Sequence, residues 1–98
     1  MMLRFTTTAQ ADVVTLAVSG QINASNASEF RRAIAEALDH GTWLVIDLTA
    51  VHLLGSAGVS ALYDYVDRKP QLVIRAGSVV ARVLAIAELD QYLAVQTT

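Results

Sequence analysis

Leu3, Phe5 and Thr7 alternate with Arg4 and Thr6, and a second β-rich run, Val13 to Ser19, follows the polar stretch Ala9–Asp12. Alternation with a period of two predicts two strands, and their short polar link predicts a hairpin. The second strand is expected to end at Gly20. Asn26 stands three positions before Glu29, the spacing of a capping box, so a helix should open there. Phe30, Ile34 and Leu38, with Ala33 and Ala37 beside them, then share one face at helical spacing, and Gly41 is the expected left-handed stop. Trp43 to Ile46 is a short continuous apolar run, the pattern of a central strand covered on both faces and ending at Asp47.

A loop, LTAVHLLGSAGV, leads from there into a second helix, in which Val59, Leu62, Tyr63 and Val66 share a face before Pro70 forbids continuation. Leu72 to Ile74 reads as another short buried strand. Ser78 caps a third helix with Val79, Val80, Val83, Leu84 and Ala87 on its apolar side, and Leu93 to Val95 makes a last strand. The order is ββαβαβαβ. Strands alternating with helices pair in parallel, so the expected architecture is α/β, a mixed sheet of about five strands with helices packed on it.

Composition narrows the function more than the fold. Hydrophobic residues make up 54% of the 98 residues and charged residues 16%, which is enough apolar surface for one core and too little charge for a disordered chain. A single domain over residues 1–98 is expected, without repeats or linkers. With no cysteine there are no disulfides, thiolate metal sites or cysteine nucleophiles. The net charge is −2 and the basic residues are scattered from Arg4 to Arg82, which argues against nucleic acid or an anionic membrane as the main ligand. No apolar run reaches a signal-peptide core or a membrane span, so the expectation is a cytoplasmic protein that does not insert in a membrane.

The stretch LVIDLTAVHLLGSAGVSAL resembles the signature of the STAS family: a buried strand ending in Asp, a hydrophobic loop, and an Asp-Ser-Ser/Thr-Gly turn that opens a helix. VSGQINASNASEFRRAIAEAL is similar to the family's Gly-Glu-Leu-Asp turn and first helix, and SVVARVLAIAELDQYLAV to its closing helix. The isolated members most like this chain are bacterial anti-sigma factor antagonists. The resemblance implies a protein-binding switch and no enzyme. Its partner would be an anti-sigma factor that is also a serine kinase of the GHKL type. That kinase would phosphorylate the turn serine, here Ser56, and a phosphatase would reverse the mark. Gly55 stands where the family has Asp, Ala57 where it has Ser or Thr, and Asn23 where the Gly-Glu-Leu turn ends in Asp. The departures at Gly55 and Ala57 favour a second implied reading, a non-phosphorylated accessory subunit of a bacterial ABC complex that transports lipid.

Ser56 has its own physical case. It follows a glycine and sits where a helix should begin, and a helix N-terminus stabilises a nearby anion by about 0.3 to 1 kcal/mol when exposed. The candidate partner-contact residues are Asn23, His52, Leu54, Gly55, Ser56, Ala57 and Gly58, with Asp47 as a loop organiser that accepts backbone hydrogen bonds. Asp47, His52 and Ser56 contain the residue types of a hydrolytic triad, but no G-x-S-x-G elbow is present. Two histidines without further ligands at i, i+3 or i+4 spacing make no metal site, and no cofactor is expected. GSAG lacks the Lys-Ser/Thr ending of a Walker motif, which leaves only weak nucleotide binding at the helix start.

Overall fold

The computed structural model describes residues 3–98. Among the described residues five strands form one sheet: β1 (Arg4–Gln10), β2 (Val13–Ile22), β3 (Trp43–Leu54), β4 (Gln71–Ile74) and β5 (Val95–Thr97). Their spatial order is their chain order. β1 pairs antiparallel with β2, and every later pairing is parallel. The three crossovers carry α1 (Ala27–Leu38), α2 (Ser56–Asp64) and α3 (Val79–Ile86). The α/β mixed sheet read from the sequence is therefore the fold, with β3 in the middle.

Among the described residues only one sheet face carries the core. Val14, Leu16 and Val18 of β2, Leu44, Ile46 and Leu48 of β3, and Leu72 and Ile74 of β4 are buried, while the residues between them, Thr15, Ala17, Val45, Asp47 and Val73, are half-buried. The buried set forms a single cluster with Phe30, Ile34 and Ala37 of α1, Ala61 and Leu62 of α2, and Val80 and Leu84 of α3. This corrects the expectation of a strand covered on both faces. A run such as Trp43–Ile46 does not reveal that only its alternate members face helices, since Val45 tolerates a half-covered position.

The largest departure is the length of β3, which runs through most of the expected loop to Leu54. Against β2, Ala17 pairs Asp47 but Ser19 pairs Ala50, and Gly20 pairs Val51 but Gln21 pairs Leu53. Each step inserts one extra residue in β3, so two β-bulges reset the alternation. The buried positions therefore fall at Leu48, Val51 and Leu54, three apart, a spacing that no regular strand shows. At the first bulge Asp47 Oδ1 accepts from the Thr49 backbone N–H at 2.9 Å and from its hydroxyl at 2.7 Å. Asp47 is thus a mid-strand residue that satisfies the bulge. Gly20, expected to end β2, instead lies at the second irregularity with φ 112°, a conformation that only glycine adopts readily, and β2 continues to Ile22.

Other local expectations shift as well. Gly41 does not cap α1, whose C-cap is Asp39 in the right-handed region; a Cβ on Gly41 would lie 2.8 Å from the Asp12 carbonyl oxygen, so space is what requires glycine there. Asn26 is the N-cap but makes no forward cap; its side chain accepts from Asn23 N–H and donates to the Gln21 carbonyl. Val79 is exposed, and the last strand begins at Val95 instead of Leu93, which is buried. Tyr63 is exposed because α2 buries Gly58, Ala61 and Leu62, a face turned away from it.

Candidate functional site

β3 pairs with β4 only from Val45 to Asp47, whereas its pairing with β2 continues to Leu54. β2 and β3 therefore extend together beyond the rest of the sheet, and their ends carry two turns, Asn23–Asn26 and Gly55–Ser56. The turns are joined at the backbone: Gly55 N–H donates to the Ile22 carbonyl at 2.8 Å, and a Cβ built on Gly55 would lie 3.7 Å from Asn23 Cα. Residues 23 and 55 become neighbours through this pairing. Asn23 Oδ1 accepts from the backbone N–H and the hydroxyl of Ser25, so its side chain holds its own turn.

Gly55, not Ser56, is the N-cap of α2, and Ser56 is the first helical residue. Gly55 has no side chain to accept from the first turn, and its carbonyl takes the N–H groups of Gly58 and Val59. No acidic residue occupies that turn. Ser56 is exposed and Ala57 half-buried, so the serine hydroxyl is open to an approaching protein beside helix N–H groups that favour negative charge.

The other candidates divide by burial. His52 is exposed on the last part of β3. Leu54, expected at the contact surface, is 3% exposed and belongs to the core, because the second bulge turns it inward; Leu53 is 45% exposed in its place. Gly58 is also buried: a Cβ there would lie 2.5 Å from Leu54 Cδ1 and 2.7 Å from Ile22 Cγ2. It serves the site by letting the first turn of α2 press onto the β2–β3 ends. Asp47 and Ser56 lie at opposite ends of the β3 extension, roughly 20 Å apart at about 3.3 Å per residue, so Asp47, His52 and Ser56 do not assemble a triad.

Sequence reasoning missed an apolar group at the far end of α2. Tyr63 O–H donates to the Ala87 carbonyl at 2.8 Å, and its ring centroid is 6.3 Å from that of Tyr92. Tyr63, Tyr92 and Ile86 are all exposed. The helical spacing puts Tyr63 on the apolar face with Leu62, and only its contacts with Ala87 and Tyr92 place it at the exposed rim. Among the described residues no group of three or more His, Cys, Asp or Glu side chains could hold a metal ion, and no helix is long and apolar enough to cross a membrane.

A family model described as "Mlab, STAS domain" matches residues 5–96. The anti-sigma-F factor antagonist RsfB of Mycobacterium tuberculosis is 36% identical over 84 residues, covering 81% of this chain and 69% of that protein. Among solved structures, an anti-sigma factor antagonist from Mycobacterium paratuberculosis superposes with a TM-score of 0.88 at 26% identity, over 99% of this chain and 87% of that one. The phosphorylated form of the Bacillus protein SpoIIAA shares the fold, with a TM-score of 0.66 at 14% identity over 97% of this chain and 91% of that one.

Proposed function

Because the chain belongs to the STAS domain family, we propose that it is an anti-sigma factor antagonist whose hold on an anti-sigma factor is controlled by phosphorylation of Ser56. The observation that carries this reading is the exposed Ser56 at the first turn of α2, in a chain 36% identical to a relative named as such an antagonist. The unmodified protein docks through the turn around Ser56, with His52, Leu53 and Asn23 beside it and the outer side of α2 continuing the surface. Docking removes the partner from its sigma factor. The partner is a GHKL-type serine kinase, and a phosphatase restores the unmodified state.

The physical effect of the mark is local. A phosphoserine adds about −1.5 to −2 of charge. On the free protein the α2 N-terminus accommodates that charge, whereas against a docked partner it must be desolvated. A loss of about 3 kcal/mol lowers affinity on the order of a hundredfold, enough to release the partner. Weak nucleotide binding at the same helix start is a minor companion to this reading.

The test is incubation with a candidate anti-sigma kinase and ATP, followed by mass spectrometry. One phosphate is expected on the wild type and none on Ser56→Ala; undiminished incorporation in that variant would reject the site. A second reading, an unphosphorylated subunit docked on the ATPase of a lipid-transport complex, is favoured by Gly55 and Ala57 in the turn and by the Mlab description of the matching family. Affinity capture from the source cell separates the two, since recovery of an ABC ATPase without a kinase supports the second.

A further inference from the structure

The two edges of the sheet are not alike. β5 is three residues long, which is one way that proteins keep an edge from pairing, but β1 is seven residues long and carries no proline, no lysine and no bulge. Its sequence, RFTTTAQ, has three consecutive β-branched threonines, and every residue but Phe5 is exposed. Its outer backbone groups face away from β2, with no further strand beyond them among the described residues.

The strand also matches itself. Laid antiparallel on a second copy about a two-fold axis at Thr7, all seven residues pair: Thr7 with Thr7, Thr6 with Thr8, Phe5 with Ala9 and Arg4 with Gln10. Any other register leaves part of the strand unpaired. The one charged residue, Arg4, meets a neutral amide and never its own copy, and threonine pairs are favourable across antiparallel strands. The large Phe5 meets the small Ala9. Each pair joins residues of the same side of the sheet, so the helix layers of both copies fall on one face.

A groove of about 340 Å³ lies beside β1, lined by Leu3, Phe5 and Ala33 with Glu29, Arg32 and Glu36 of α1. Leu3 and Phe5 are only half covered by their own chain. In this register the two grooves lie on opposite sides of the axis, each beside Ala9 of the other copy, and pairing would shelter this apolar floor. We propose that β1 pairs with β1 of a second copy to form a two-fold dimer with a continuous ten-stranded sheet.

Sedimentation equilibrium from micromolar to millimolar protein tests this. The wild type is expected to dimerise as concentration rises. Thr7→Lys and Thr7→Glu place like charges opposite each other on the axis and should each weaken dimerisation at least tenfold, while an equimolar mixture of the two should restore it. A wild type that stays monomeric throughout, or a Thr7→Lys variant that dimerises as well as the wild type, overturns the proposal. Amide hydrogen exchange on the wild type gives a second readout that needs no variant. Protection of β1 should rise with protein concentration, and protection that appears only on adding an anti-sigma partner would assign the edge to that partner instead. None of these results bears on phosphorylation of Ser56.

Discussion

Leu54 occupies the space that a side chain on Gly58 would need: a Cβ at position 58 would stand 2.5 Å from Leu54 Cδ1. The end of β3 and the first turn of α2 are thereby fixed against each other, and the exposed Ser56 between them inherits its position from that contact. The candidate site is in this sense built by buried residues.

Gly58→Ala tests the contact. In an unconstrained helix interior the change is favourable by up to about 1 kcal/mol. Here the methyl group must displace Leu54 and Ile22, and overpacking of a core typically costs about 1 to 3 kcal/mol. Urea denaturation should show a net loss of stability of up to about 2 kcal/mol. A net gain would mean that α2 shifts freely on the sheet.

Asp47→Ala addresses the first bulge. Removing the carboxylate leaves the Thr49 N–H and hydroxyl without the acceptor they now use, which costs about 1 to 3 kcal/mol when such a group is buried and less at this half-buried position. Denaturation should register about 1 kcal/mol, with phosphate incorporation at Ser56 preserved. Loss of incorporation from a variant that remains folded would show that Asp47 acts on the site itself.

Phosphorylation of Ser56 should leave the free protein as stable as before or slightly more so. A first-turn anion at an exposed helix start contributes about 0.3 to 1 kcal/mol, and 1 kcal/mol corresponds to roughly 4 to 8 °C in Tm for a domain of this size. Calorimetry of the two forms is expected to show no change or a rise of a few degrees. A drop of several degrees would contradict an open helix start.

Tyr63 and Tyr92 offer an aromatic anchor at the end of α2 opposite to Ser56. If the docking surface runs the length of the helix, Tyr92→Ala should weaken binding of the anti-sigma partner at least tenfold, since exposed tyrosines of this kind often dominate an interface. Titration calorimetry would detect this. Unchanged affinity would confine the contact to the Ser56 turn.

Arg31 and Asp64 join α1 to α2 by a surface ion pair at 2.8 Å, with a further contact from Arg31 to the Ser60 hydroxyl. Both side chains are substantially exposed, so Arg31→Ala should cost only about 0.2 to 1 kcal/mol, and less as salt is raised. A salt-independent loss well above that range would show that packing of the arginine stem, not charge, holds the two helices.

The element order, the buried face of α1 and the helix that opens near Ser56 were legible in the sequence, because each rests on periodicity or capping within a few neighbouring residues. The place of Ser56 at the start of that helix was legible in the same way, from the glycines around it. Pairing decided the rest. Two bulges against β2 lengthened β3 through an expected loop, turned Leu54 inward and Leu53 outward, and brought Asn23 beside Gly55 across more than thirty residues of chain. A bulge is a mismatch between two strands, and one strand read alone carries no record of its partner's register.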